Sequence, residues 1–212
     1  ALMQTLNPWI YKKIKEQDIK SIAPIAYLSL IIIAFVNLLL ILLAPEAVAI
    51  FAPKSYYEAI WIIPPVAMSV YFMYSYDLFA KFAFYYEKTN LVMIASIVGA
   101  VVNIILNYIF INIFGYIAAG YTTLICYVIY SIAHYILMNS ICSKECNGVK
   151  PYSVKKIFAI TIPFIIVGFA MLFTYNYPLI RLLVIFVIFI VILIERKRII
   201  NIFTRLLKLK KY

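Results

Sequence analysis

Long apolar runs separated by short clusters of charge set the pattern of this chain. Six stretches are nearly free of Asp, Glu, Lys and Arg: 22–43, 59–86, 91–114, 116–138, 157–173 and 179–194. A hydrocarbon core about 30 Å thick needs roughly 20 helical residues at about 1.5 Å each, so each stretch is read as a membrane-spanning helix. The expected fold is all-α, a polytopic transmembrane bundle of about six helices.

Local sequence sharpens several boundaries. Pro24 is tolerable in the first turn of the 22–43 helix. The 59–86 run is too long for one straight span, and Pro64-Pro65 is expected to divide an interfacial turn, with Tyr56, Tyr57 and Trp61, from a helix over 64–86. Gly115 joins 91–114 to 116–138. Residues 141–156 form a cytoplasmic loop, and 157–194 form a closing hairpin around Tyr175-Asn176-Tyr177-Pro178. Both of its helices are short, so their ends should lie near the interface. Residues 195–212 form a basic cytoplasmic tail.

Composition excludes a soluble domain. Of the 212 residues 67% are hydrophobic and 13% charged, with a mean hydropathy of +1.02, against about 25% charged in ordinary globular domains. Aromatic residues make up 17%, which suits helices that meet headgroups at both interfaces. The +11 net charge does not point to nucleic acid, because the basic residues lie in clusters between apolar runs. Six crossings put all of them except Lys54, Lys81 and Arg181 on one side: Lys12, Lys13, Lys15, Lys20, Lys88, Lys144, Lys150, Lys155, Lys156 and the seven from Arg196 to Lys211. The positive-inside rule makes that side cytoplasmic, with both termini there, in a multi-pass protein of the bacterial inner membrane. In the tail, Arg205 and Lys208 beside Leu206, Leu207 and Leu209 suit an anchor on anionic membrane lipids.

Several side chains stand out against this apolar background. Asp77 and Lys81 are four apart on one helix face and compensate each other, since a lone charge near mid-membrane costs about 2.5–3.5 kcal/mol. The pair either faces a cavity, where the lysine releases the aspartate to meet an anionic headgroup or a proton, or is structural near the cytoplasmic end, with the lysine snorkelling. Tyr74 and Tyr85 extend the same stripe as a wet face. Asn103 and Asn107 continue a stripe from Ser96 and Gly99 or Ala100, read as helix packing or as sugar contact. Ala119, Thr122, Cys126, Tyr130 and Ala133 make a comparable packing stripe on the next helix. His134, the single histidine, is a hydrogen-bonded residue or a proton relay. Arg181, on the outer side, snorkels or touches substrate. Cys142 and Cys146, spaced C-x3-C without a second ligand pair, read as thiols facing the cytoplasm rather than a metal site, and Cys126 lies in an apolar run. Without paired carboxylates, a glycine-rich phosphate loop or an acidic metal cluster, the chain has no catalytic constellation. It is read as a non-enzyme without cofactor or metal.

Beyond the helical bundle, five short segments carry a resemblance: Pro53-Lys54-Ser55-Tyr56-Tyr57-Glu58-Ala59; Glu87-Lys88-Thr89-Asn90; Val102-Asn103-Ile104-Ile105-Leu106-Asn107-Tyr108-Ile109-Phe110-Ile111; Phe114-Gly115-Tyr116-Ile117-Ala118-Ala119-Gly120; and Thr122-Thr123-Leu124-Ile125-Cys126-Tyr127. In order and spacing, over roughly residues 1–140, they resemble the later half of bacterial polysaccharide-repeat-unit (O-antigen or capsule) flippases of the multidrug, oligosaccharidyl-lipid and polysaccharide exporter superfamily. The chain departs from that pattern in having Ile117 and Ala118 where a second Gly is usual, with Gly120 after the Ala pair. The resemblance implies export of an undecaprenyl-diphosphate-linked oligosaccharide by alternating access between two bundles, with a polysaccharide polymerase and glycosyltransferases as further partners. It makes residues 1–140 the later helices of a second bundle, and residues 3–18 the exit from a preceding helix, so an N-terminal bundle of the same protein is expected upstream. Asp77, Lys81, Tyr74, Asn103, Asn107 and Arg181 become candidate cavity contacts. The competing expectations are a cation-coupled multidrug exporter of the same superfamily, which calls for more intramembrane acids than Asp77, and a membrane enzyme or non-transporting subunit of polysaccharide synthesis.

Overall fold

The computed structural model describes residues 2–197, 200–202 and 204; most of the basic tail, including Arg205, Lys208 and Leu206, lies outside the described residues. The described residues form an all-α bundle. In chain order the helices are α1 (Leu2–Lys15), α2 (Ile22–Leu42), α3 (Ala44–Phe51), α4 (Ile63–Tyr85), α5 (Thr89–Phe114), α6 (Ala118–Glu145), α7 (Val154–Phe173) and α8 (Pro178–Ile194), with 3-10 turns at Ile19–Ser21, Lys54–Trp61 and Thr174–Asn176.

Four of these segments are long and apolar enough to cross a membrane: Ile19–Leu42, Thr89–Phe114, Ala118–Glu145 and Val154–Asn176. A fifth crossing results if Lys54–Trp61 and Ile63–Tyr85, bent by 51°, count as one broken span. The bend falls where two prolines remove backbone donors, at Pro64-Pro65 in the first turn of α4. The sixth apolar helix, α8, has 17 residues, a little short for the hydrocarbon core. The helices are thus those of a membrane protein.

Two boundaries move from their sequence-based positions. Helix α6 continues to Glu145 and α7 begins at Val154, so the loop expected over 141–156 contracts to a tight connection. Residues 3–18, expected as the exit from a preceding helix, are mostly the helix α1 (Leu2–Lys15), and a further short helix, α3, follows α2 directly. Helix α1 inserts Leu6, Ile10 and Ile14 into the core. It ends where the Asp18 and Gln17 amides donate to the Lys13 and Ile14 carbonyls, at 3.0 Å each, with Gln17 at φ 58°.

Helix α4 is the hub. It packs against α6, α2, α1 and α7, and Met68, Tyr71, Leu78 and Phe82 are sealed from the surface. Since lipid tails are as apolar as these side chains, cohesion inside a membrane comes from close packing and interhelical hydrogen bonds. Ser75 and Ser131 hydroxyls join α4 to α6 at 2.7 Å, and Tyr71 and Thr161 hydroxyls join α4 to α7 at 2.8 Å. Helix α5 lies outermost, with Gly99 its one buried residue.

Connections alternate between two ends. Gln17, Tyr86 and Cys146 meet at one end, where Tyr86 Oη is 3.3 Å from Cys146 Sγ. At the other, Tyr175 Oη donates to the Ile41 carbonyl at 2.6 Å and its ring lies 5.5 Å from Trp61. Cys142 and Cys146, expected to face the cytoplasm as thiols, lie at the first end as free thiols but are buried, with Tyr86 against Cys146.

Candidate functional site

Helix α4 is covered on every side but one. Val66, Val70, Met73 and Phe84 are exposed, at spacings that place them on a single face, and Asp77 lies on that face between Met73 and Phe84. Asp77 Oδ1 accepts from Lys81 Nζ at 2.7 Å, and the two side chains are 35% and 7% exposed respectively. The aspartate therefore looks outward while the lysine lies along the helix beneath it, its Nζ 5.8 Å from the centre of the Phe84 ring. Lys81 is buried, so the snorkelling reading fails.

Tyr76, the chain neighbour of Asp77, belongs to a cluster of hydroxyl-bearing rings between α4 and α6. Tyr76 of α4 lies 6.2 Å from Tyr127 and 5.6 Å from Tyr130 of α6, and each of the three is partly exposed. They follow from spacing: Tyr127, Tyr130 and His134 sit at intervals of three and four on α6, opposite Tyr76. Tyr11, on α1, is close enough to feel the Asp77 charge.

Behind this shelf His134 is 1% exposed. Its Nδ1 lies 2.9 Å from the Tyr130 carbonyl, which can only accept, so Nδ1 carries the proton. Nε2 is buried without a hydrogen-bond partner, and the ring lies 5.1 Å from Tyr76. Of the two sequence readings, the hydrogen-bonded residue is the one this geometry contains.

The other candidates lie elsewhere. Tyr74 is buried and faces Ser29 of α2, whose hydroxyl donates to the Ala26 carbonyl; Tyr74 is thus part of the core, not of a wet face. Asn107 Nδ2 donates to Asn103 Oδ1 at 2.9 Å, and Thr122 Oγ1 donates to Asn107 Oδ1 at 2.6 Å. Tyr130 Oη donates to the Ser96 carbonyl at 2.6 Å, and its ring end covers Gly99 so closely that a Cβ there would overlap it. The Ser96–Asn107 stripe is therefore the α5–α6 seam, the packing reading.

Arg181 neither snorkels nor approaches Asp77. It is 6% exposed and reaches Glu46 of α3, with Nε and Nη2 at 3.0 and 2.6 Å from Oε1. The guanidinium lies 5.9 Å from the Tyr175 ring. This clamp ties α8 to the far end of the bundle. Sequence reasoning missed Glu46, although an acid behind Pro45 at the close of an apolar run is a visible signal.

No protein-family model matches this sequence, and no curated protein or solved structure matches it significantly.

Proposed function

We propose that this chain supplies one wall of a path along which a lipid-linked oligosaccharide repeat unit crosses the bacterial cytoplasmic membrane for surface polysaccharide synthesis. The observation that carries the reading is the open face of α4, where the Asp77–Lys81 ion pair sits midway along an otherwise apolar helix, next in sequence to Tyr76, whose ring packs with Tyr127 and Tyr130. A carboxylate at such depth is tolerated where it meets water, a polar ligand or a partner, not hydrocarbon. Sugar rings present apolar faces that stack on tyrosine rings and hydroxyls that bond to tyrosine oxygens. A diphosphate requires a cation, and Lys81, held by Asp77, can supply it by exchanging one anion for another. The opposite wall is a second bundle of the same protein, rocking against this one around the site. Membrane lipids surround both, with a polysaccharide polymerase and glycosyltransferases as functional partners.

In this reading both ends of the chain lie in the cytoplasm, as the lysine distribution requires. The test is genetic. Deleting the gene that encodes this chain should abolish surface polysaccharide, and re-expression should restore it. Lys81→Gln and the double change Asp77→Asn/Lys81→Gln, neither of which strands a buried cation, should leave protein level adequate while surface polysaccharide falls by about tenfold or more. Full export by either variant at normal level contradicts the assignment of this face.

A further inference from the structure

A second feature of the bundle stands apart from the Asp77 face. Helices α6 and α7 both pack on α4 but make no extensive contact with each other, which leaves a groove along the seam. Its floor is Phe72, Ser75 and Phe79 of α4, and it encloses a cavity of about 300 Å³. A second hollow of about 320 Å³ adjoins it, sharing Phe72, Val128 and Ile165, and continues the groove to Phe169. From Val154 to Phe169 the groove follows α7 for about 22 Å at about 1.5 Å per residue.

The chemistry inside is that of hydrocarbon. Each hydroxyl on the floor and walls is already bonded: Ser75 with Ser131 at 2.7 Å and to the Phe72 carbonyl at 2.9 Å, and Thr161 with Tyr71 at 2.8 Å. Tyr135 Oη donates to the Tyr152 carbonyl at 3.0 Å. Nothing in the groove asks for a polar partner, while Ile132 and Phe158 on its rims are 56% exposed each. One end has a different character. Lys155 is exposed, makes no ion pair among the described residues, and sits in the first turn of α7 next to Val154, the lining residue at the groove's end, and one helical turn before Phe158. This is the end at which the lysines cluster.

We propose that the groove between α6 and α7 holds one acyl chain of an anionic phospholipid, with the phosphate at Lys155. The length decides for an acyl chain: half of a hydrocarbon core about 30 Å thick is about 15 Å, which the groove accommodates. The lysine at the mouth decides for an anionic headgroup, since one Lys beside an anionic lipid contributes about 1 kcal/mol, or about fivefold in affinity. This site is independent of any transport role for Asp77.

Native mass spectrometry of the purified chain, titrated with phosphatidylglycerol and phosphatidylcholine, tests it. The wild type should retain one phospholipid, with phosphatidylglycerol favoured by about fivefold or more. Lys155→Gln should erase most of that preference while still retaining lipid. Ile132→Trp, at an exposed rim position that leaves the core intact, should fill the groove and prevent retention of either lipid. The proposal is overturned by equal binding of the two lipids in the wild type, by unchanged selectivity in Lys155→Gln, by unchanged retention in Ile132→Trp, or by a lipid-free dimer that seats a second copy in the groove.

Discussion

Removing one partner of the Asp77–Lys81 pair at a time should reveal what the open face of α4 meets. Asp77→Ala leaves the Lys81 ammonium, 7% exposed, without its carboxylate at 2.7 Å. Stranding a buried charge costs about 3–5 kcal/mol. Lys81→Ala leaves Asp77, which is 35% exposed. If that exposure is to water or a polar ligand, the loss is that of a semi-exposed ion pair, about 1 kcal/mol. If it is to hydrocarbon, a lone carboxylate at mid-helix costs about 2.5–3.5 kcal/mol, nearly as much as the lysine. The ratio of the two single effects therefore reads the environment of the face. SDS-induced unfolding in mixed micelles, followed by circular dichroism, gives both values and that of the double variant. The expected order is Asp77→Ala worst, Lys81→Ala mild, and the double variant better than Asp77→Ala alone, because no charge is stranded. Equal single effects would refute the wet-face reasoning, and strict additivity would refute the pair.

Further outcomes follow from the packing. Gly99→Ala should destabilise the α5–α6 seam by about 1–3 kcal/mol, because its Cβ displaces the Tyr130 ring and breaks the bond to the Ser96 carbonyl, whereas Tyr130→Phe should lose only about 0.5–1.5 kcal/mol; the same unfolding titration compares them. Glu46→Ala strands Arg181, 6% exposed, and should cost about 3–5 kcal/mol and raise protease sensitivity near Tyr177, while Glu46→Asp should recover part of the loss; an unchanged cleavage pattern in Glu46→Ala would count against the clamp. Glu87 closes α4 at φ 56°, with the Lys88 amide donating to the Ala83 carbonyl at 2.8 Å, so Glu87→Gly should stabilise by up to about 1 kcal/mol, read as a shifted unfolding midpoint.

Much of this architecture was legible because its causes are local. Proline pairs break helices, so Pro64-Pro65 marked the 51° bend. Residues four apart meet on a helix, so Asp77–Lys81 and Asn103–Asn107 could be paired by spacing. The face that α4 leaves open could not be read in this way. A helix apolar on nearly every side gives no amphipathic direction, so Tyr74 and Tyr76, two positions apart, were not distinguishable: the first is core and the second lies on the shelf. Arg181 and Glu46 are 135 positions apart, and only the fold brings them together. The burial of Cys142 and Cys146 likewise depends on Tyr86 and the connection to α7, which tertiary structure places over them.

The most direct test of the transport proposal is to count lipid-linked oligosaccharide in each leaflet of the cytoplasmic membrane, using an impermeant sugar-oxidising or lectin probe on spheroplasts and on inverted vesicles. With the gene deleted, repeat units should accumulate on the cytoplasmic leaflet and be nearly absent from the outer one; restoring wild-type protein should move them outward, and Lys81→Gln at normal protein level should not. An unchanged leaflet distribution on deletion, or loss of the repeat units from both leaflets, would contradict a flipping role, the latter by pointing to synthesis instead.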